Sequence, residues 1–290
     1  KSMLHRIGLI IPSSNRMVEQ EMVGYFPDNV AAHINRLRMT GANRKPLSEL
    51  LPEVERACAA LVDAKCDVIA FHCTANSMSE GSGGEKALLD ALRRAGAPAV
   101  ATTSTAVINA LKALKARRIA LLTPYSQHAT EEETHFLTEN GIDTVHAEGC
   151  GLGGSDAYCS TPPEFWSQRA NALPHRDFDA LFLSCANIRC MGIINEIEAR
   201  IGRPVITSNQ VVVWEALRLI GWRSVERMPG ALFVVKDAAG RYVSFSASLA
   251  QRLRVLTQGW RGAPQRQQSL RAALLCNDAR LGSDGSSWQG

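Results

Sequence analysis

Two short segments of this 290-residue chain recur at one spacing. "RIGLIIP" ends at Pro12 and "RIALLTP" ends at Pro124, so the two copies lie 112 residues apart. "DVIAFHC" ends at Cys73 and "DALFLSC" ends at Cys185, which is again a separation of 112 residues. Two independent matches at one spacing indicate an internal duplication. We therefore expect two related lobes, each of which ends one strand in a cysteine.

The hydrophobic pattern alternates between strand-like and helix-like segments. It predicts eight strands, at 6–11, 31–39, 67–72, 98–102, 118–123, 143–149, 179–184 and 204–208. It predicts helices between them, at 47–65, 86–96, 104–116, 129–141 and 210–221. Such alternation is typical of an α/β fold with parallel sheets covered by helices. The prediction is two pseudo-symmetric α/β lobes, with the active site in the cleft between them.

We predict that residues 1–112 and 208–235 form the first lobe and that residues 113–207 form the second. The remaining segment, 236–290, is polar and basic, and we expect a loosely ordered extension there. It carries one lysine and seven arginines against three aspartates, while the whole chain has a net charge of +4. The body is therefore nearly neutral, which argues against a nucleic-acid-binding protein.

The sequence also bears on location. No apolar stretch approaches the ~20 residues that span a membrane, and the N-terminal segment predicts a first strand rather than a signal peptide. Eight cysteines in a chain of this length, without a secretory signal, indicate reduced thiols. We expect a cytoplasmic homo-oligomer in which Cys58 and Cys66 are small buried hydrophobes.

The strand-end cysteines, Cys73 and Cys185, are candidates for chemistry. In parallel α/β sheets, ligands bind outside the carboxyl ends of the strands. A helix N-terminus after the strand favours a thiolate, which can attack an activated alkene. A thiol of pKa about 8.5 can also give and take a proton. The alternative is that both are structural cysteines, and the repeat makes that interpretation the weaker one.

Neutral polar groups follow the same strands and are candidates for substrate binding. Serine, threonine and asparagine at such places cap loops and helices, and they can equally donate hydrogen bonds to a carboxylate. The candidates are Ser14, Asn15, Thr74, Asn76, Tyr125 and Asn187 through their side chains, and Ala75 and Ala186 through their backbone N–H groups.

Several familiar motifs are absent from the sequence. The glycine-rich stretches 81–84 and 149–154 lack the spacing and the lysine of a P-loop, and we expect loops there. No clustered metal-ligand motif and no serine-centred GxSxG elbow is present. We therefore expect neither a metal nor an organic cofactor.

The motifs "PSSN", "HCTANS", "TPY" and "LSCANIR" together resemble the aspartate/glutamate racemase superfamily. Within it, the chain is most similar to the branch of maleate cis–trans isomerases and arylmalonate decarboxylases, over about residues 5–233. The resemblance implies two Rossmann-like lobes, a small dicarboxylate substrate, and no metal or cofactor. It implies that Cys73 is the nucleophile and Cys185 the acid–base partner. It also implies that Asn15 and Tyr125 bind carboxylates, together with the amides of the loops after the cysteines.

One position departs from the pattern of this branch. The isomerases carry a further carboxylate-binding asparagine shortly before a Pro-Pro pair, where this chain has Ser155 and Asp156. Both cysteines are present, as in maleate isomerases and amino-acid racemases, whereas arylmalonate decarboxylases keep only the second.

Three hypotheses follow. The first is a cofactor-independent isomerase that converts maleate, or a close cis-butenedioate, to the trans isomer through a cysteine adduct. In it, Cys185 either transfers a proton or only stabilises charge. The second is a two-cysteine racemase or an arylmalonate-type decarboxylase. The third is a non-catalytic protein that binds small acids.

Overall fold

The computed structural model describes residues 4–39, 45–173, 177–222 and 228–234, and its strands form two four-stranded parallel sheets. The first sheet contains β1 (His5–Pro12), β2 (Val30–Leu37), β3 (Val68–Phe71) and β4 (Val100–Thr102), in the order β2-β1-β3-β4. The second contains β5 (Arg118–Thr123), β6 (Asp143–Gly149), β7 (Ala180–Leu183) and β8 (Val205–Thr207), in the order β6-β5-β7-β8. In both sheets the second strand in chain order lies at one edge, followed by the first, the third and the fourth. The predicted α/β fold with two related sheets is therefore confirmed.

The described helices lie between the strands, except the last, which follows β8. Short 3₁₀ segments occur at Val23–Tyr25, Met191–Ile193 and Ala231–Val234. In chain order the helices are α1 (Val18–Glu21), α2 (Leu47–Asp63), α3 (Thr74–Met78), α4 (Gly81–Arg94), α5 (Thr103–Ala113), α6 (Gln127–Glu139), α7 (Ser155–Ser160), α8 (Pro163–Asn171), α9 (Ile194–Ile201) and α10 (Ser208–Leu219). All five predicted helices occur, with bounds that differ by a few residues.

The two aspartates of the repeat make equivalent contacts in the two sheets. Asp67 accepts a hydrogen bond at 2.8 Å from the backbone N–H of Arg6, and Asp179 accepts one at 2.9 Å from that of Arg118. Each aspartate side chain therefore ties the start of one strand to the start of its neighbour. The repeat sets the register of the two central strands of each sheet.

The prediction of a loop at 81–84 is wrong, because α4 begins at Gly81. The carboxylate of Glu139 accepts hydrogen bonds from the backbone N–H and the hydroxyl of Ser82, at 2.8 and 3.0 Å. It thereby supplies the partner that the first turn of a helix needs. A Cβ at Gly84 would lie 2.8 Å from a methyl carbon of Leu47, so the glycine allows close packing against α2.

Helix α10 packs on α5 and also contacts β3 and β4 of the first sheet. A capping box fixes its start: Thr207 Oγ1 accepts the Gln210 N–H, and the Gln210 side chain accepts the Thr207 N–H. Among the described residues, no helix combines the length and the apolar character that a membrane crossing requires. The predicted extension, 236–290, lies outside the described residues.

Candidate active site

A cavity of about 540 Å³ lies at the carboxyl ends of β1, β3, β5 and β7. Each predicted site residue lines it. These residues are Ser14, Asn15, Cys73, Thr74, Ala75, Asn76, Tyr125, Cys185, Ala186 and Asn187. The two cysteines and their flanking loops therefore face one space, as the repeat predicted.

Cys73 stands at the junction between β3 and α3. Its backbone is extended, with φ −145° and ψ 108°, and it precedes the first helical residue, Thr74. Its thiol lies 3.6 Å from Asn76 Oδ1, and the residue is partly exposed. The first N–H groups of a helix have no partner within the helix, so this loop can present donors to an anion in the cavity.

Cys185 follows β7 in a strained backbone conformation. Its φ of 130° lies in a region that residues with a Cβ rarely adopt. Its N–H donates to Ser208 Oγ at 3.0 Å, and its thiol accepts the Asn187 N–H at 3.3 Å. The side chain is only 5% exposed. The loop thus holds a buried thiol in a fixed place.

Burial keeps the Cys185 thiol protonated at neutral pH. It raises the pKa of this thiol to about 12, although the Tyr125 hydroxyl and the Asn187 N–H act in the opposite direction. The charges of Glu133 and Cys73 raise the pKa further. A thiol of this kind holds its proton until a strong base, such as a carbanion, takes it.

Tyr125 is buried beside Cys185 and stays a neutral phenol. Burial raises the pKa of Tyr125 well above its usual range, and the neighbouring charges of Cys185 and Glu133 add to the effect. A neutral phenol can donate a hydrogen bond. Its ring also makes an edge-on contact with the ring of Tyr158, with centroids 5.7 Å apart.

The amide of Asn15 connects the loop after β1 to the loop that follows Cys185. Its Nδ2 donates to the carbonyl oxygen of Ala186 at 3.0 Å. Its Oδ1 accepts the N–H groups of Met17 and Val18, at 2.9 and 3.0 Å. An amide NH₂ has two hydrogens, and the contact with Ala186 uses one of them.

Asn187 makes a similar connection in the other direction. Its Oδ1 accepts the Arg16 N–H at 2.9 Å, and its Nδ2 lies 3.4 Å from the carbonyl oxygen of Ser155. Both asparagines therefore hold the cavity loops together as well as facing the cavity.

Of the neighbouring residues Ser155 and Asp156, only one faces the cavity. Ser155 lines it, and its hydroxyl lies 2.9 Å from that of Ser14. Asp156 is exposed and forms an ion pair with Arg16. The hydroxyl groups of Ser14 and Ser155 therefore line the cavity as a hydrogen-bonded pair.

The sequence interpretation missed Ser208. It is fully buried, and its Oγ contacts the N–H of Cys185 and the Thr74 hydroxyl, at 3.0 and 2.8 Å. It thus joins the loops of the two cysteines. The sequence contains a signal for this residue, because Thr103 and Ser208 occupy equivalent places. They are the first residues of the helices that follow β4 and β8, the last strands of the two sheets in chain order.

His72, which precedes Cys73, has a structural role. It is fully buried between Thr103 Oγ1 and Asn209 Oδ1, at 2.9 and 2.8 Å. Burial lowers the pKa of His72 to about 4, so the ring is neutral at pH 7. Among the described residues, no three histidine, cysteine, aspartate or glutamate side chains lie close enough together to hold a metal ion.

These features define a class: a two-lobed α/β protein with one thiol from each repeat in a shared cavity. The chain belongs to the arylmalonate decarboxylase family, whose sequence model matches residues 7–233.

Curated relatives carry two activities. The chain is 28% identical to a maleate isomerase of Pseudomonas putida over 242 residues, which are 79% of this chain and 97% of that protein. It is 28% identical to an arylmalonate decarboxylase of Bordetella bronchiseptica over 219 residues, or 74% and 90% of the two chains.

A solved relative shows a reaction intermediate. It is a cysteine-to-serine mutant of the Nocardia farcinica maleate cis–trans isomerase with a covalently bound succinylcysteine intermediate. Its TM-score to this structure is 0.69 at 26% identity, covering 75% of this chain and 93% of that one.

Proposed function

We propose that the chain is a cofactor-independent cis–trans isomerase that converts maleate, or a close cis-butenedioate, to the trans isomer. The observation that carries the proposal is the placement of Cys73 and Cys185 in one cavity, with the first partly exposed and the second buried. The maleate isomerase relatives and the succinylcysteine in one of them support a cysteine-bound route.

In the proposed mechanism, Cys73 reacts as the thiolate and adds to one alkene carbon, forming a C–S bond. The electron pair of the double bond moves to the neighbouring carbon and its carboxylate. Cys185 gives its proton to that carbon, which yields a succinyl thioether with a single bond that rotates. The Cys185 thiolate then takes the proton back, and the C–S bond breaks to release the trans product and the Cys73 thiolate.

The donors for the carboxylates are neutral. We assign to this role the amides of Asn15, Asn76 and Asn187, the Tyr125 hydroxyl, and the backbone N–H groups after the two cysteines. Neutral donors preorganised around the carboxylate next to the carbanion stabilise the charge that develops in the transition state. They do so without a fixed cation that would hold the ground state equally well.

The adduct tests the proposal directly. Cys185→Ser protein incubated with maleate should gain the mass of one dicarboxylic acid, on the peptide that contains Cys73. Cys73→Ser protein is the matched control and should show no adduct. An adduct on Cys185 of the wild-type protein would reverse the assignment.

The second candidate is a decarboxylase, which the Bordetella bronchiseptica relative favours, or a two-base racemase. Release of CO₂ from an arylmalonate would identify the decarboxylase. Obligatory deuterium exchange at a substrate carbon without any adduct would identify the racemase. Failure to turn over any of these acids would leave the non-catalytic binding protein.

We also propose the lobe boundaries, 1–112 with 208–235 and 113–207, because α10 packs mainly on α5 of the first lobe. A cytoplasmic location and a homo-oligomeric state complete the proposal, without a nucleic-acid partner. Light scattering during size-exclusion chromatography would measure the oligomeric state.

A further inference from the structure

We propose that the preferred substrates are cis-butenedioates with an apolar substituent on one alkene carbon, and that maleate is the smallest member of the class. The inference rests on the proposed isomerase function and specifies its substrate. It is carried by the size of the cavity and by the character of one of its walls.

The cavity is too large for maleate alone. Its volume of about 540 Å³ falls in the range of about 300–1,000 Å³ that proteins use for drug-sized ligands. Maleate takes up no more space than about five waters at roughly 30 Å³ each. Bound maleate would therefore leave most of the cavity unfilled.

One wall of the cavity is largely apolar and well anchored. It is lined by Ala129 of α6, by Leu152 of the loop before α7, and by Tyr158 of α7. Leu152 donates its N–H to the carbonyl oxygen of Pro124 at 2.8 Å, which fixes the loop to the end of β5. Tyr158 is fixed by its ring contact with Tyr125. An apolar group against this wall would be removed from water in a site that is already formed.

This wall is a poor place for a second carboxylate. Among the residues that the structure describes, no lysine, arginine or histidine lines the cavity. The hydroxyls of Ser14 and Ser155, which also line the cavity, bond to each other. That bond uses one of their two hydrogens, so the pair offers one donor. A carboxylate held there would lose much of its hydration without a cationic partner.

The chemistry accepts a substituent without change. The Cys73 thiolate adds to the alkene carbon that carries hydrogen. The electron pair moves to the substituted carbon, where its carboxylate spreads the charge and Cys185 supplies the proton. After rotation the same proton returns to Cys185 and the C–S bond breaks, so no other reactant is needed.

The test is a substrate series with maleate, 2-methylmaleate, 2-propylmaleate and 2-phenylmaleate. Burial of each further methylene should raise kcat/KM up to about fourfold, so 2-propylmaleate should exceed 2-methylmaleate by about tenfold. Turnover of maleate together with kcat/KM more than tenfold lower for the propyl and phenyl compounds would overturn the inference and leave the isomerase function intact.

Variants of the wall give a second readout. Ala129→Leu and Leu152→Phe each narrow the cavity, so each should lower the ratio of kcat/KM for 2-phenylmaleate over maleate by at least about tenfold. His128→Leu, at an exposed position next to Ala129, is the matched control and should leave the ratio unchanged. An unchanged ratio in both folded wall variants would contradict the assignment of this wall.

Binding separates this inference from the failure of the proposed function. Calorimetry with 2-phenylsuccinate and succinate, which lack the alkene, needs no turnover. Tighter binding of 2-phenylsuccinate by at least about tenfold supports the apolar wall even if no maleate is converted. Equal affinities would overturn the inference.

Discussion

Ser208 Oγ accepts the backbone N–H of Cys185 at 3.0 Å, although the two residues lie 23 positions apart. The same oxygen is 2.8 Å from the hydroxyl of Thr74, which follows Cys73. A non-glycine residue in the conformation of Cys185 costs on the order of 1–3 kcal/mol, and the surrounding structure must hold it there. We infer that Ser208 maintains this backbone and keeps the two thiol loops in place.

Ser208→Ala should therefore lower both stability and kcat. Loss of the acceptor leaves a buried N–H unsatisfied, which costs about 1–3 kcal/mol in the free energy of unfolding. Displacement of the Cys185 loop should lower kcat about tenfold or more. Urea unfolding and steady-state kinetics measure the two effects.

The matched control is Ser167→Ala. Ser167 is also buried, but it bonds to Glu196 and does not line the cavity. It should lose stability and keep kcat. Equal kcat losses in the two variants would show that the effect of Ser208 is general destabilisation.

The two cysteines should respond differently to replacement by serine. Cys73→Ser should lower kcat by several powers of ten, because a hydroxyl of far higher pKa cannot replace the thiolate nucleophile. Cys185→Ser removes only proton transfer or charge stabilisation, a contribution of roughly 10²–10⁴ for general acid–base catalysis. Single-turnover kinetics with maleate should separate adduct formation from adduct breakdown. A larger loss of adduct formation in Cys185→Ser would exchange the two roles.

The sheets and the cysteine pair could be predicted because their signals are local and occur twice. Asp67 and Asp179 each accept a hydrogen bond from a strand of their own sheet, and they stand at the same place in the two copies of the repeat. The hydrogen bonds of Asn15 could not be predicted in this way. Asn15 contacts Ala186 across 171 residues, and no local pattern records which loops will meet.

The start of α4 shows the opposite failure. Glycine normally disfavours helix interiors, so the stretch 81–84 predicted a loop. The carboxylate of Glu139, 57 residues away from Ser82, and the close approach of Leu47 to Gly84 override that preference. Tertiary contacts therefore outweigh the low helix propensity of the glycines, and the segment forms a helix.

Alkylation should distinguish Cys73 from the other thiols. No described cysteine forms a disulfide. Burial raises the pKa of Cys58 and Cys66 to about 11 and also raises the pKa of the half-buried Cys150, so these thiols should react slowly. Iodoacetamide should label Cys73 before Cys58, Cys66 and Cys150, and maleate should protect it. Peptide mass spectrometry over time measures the order, and uniform labelling would favour structural cysteines.

Chelation should leave activity unchanged. The proposed route moves electron pairs and one proton between two thiols and the substrate, and neutral donors hold the carboxylates. Dialysis against EDTA followed by a maleate assay should therefore give the original kcat/KM. Loss of activity that added zinc or iron restores would contradict the mechanism.

Glu198 is a buried carboxyl outside the cavity. Burial raises the pKa of Glu198 to about 7, although it accepts the N–H groups of Val205 and Ala231. In the unfolded chain the group ionises near its ordinary value of 4.5. Between these values the folded protein binds the extra proton, so the free energy of unfolding falls as pH rises from about 4.5 to 7.

Glu198→Gln should remove this dependence, because the amide keeps an acceptor oxygen and cannot ionise. Relative to wild type, the variant should gain on the order of 2 kcal/mol in the free energy of unfolding between pH 5 and pH 8. Urea unfolding at several pH values measures the difference. Glu164→Gln, at an exposed glutamate of α8, is the control and should track the wild type. Parallel pH profiles for wild type and Glu198→Gln would show that Glu198 stays ionised in the folded protein across this range.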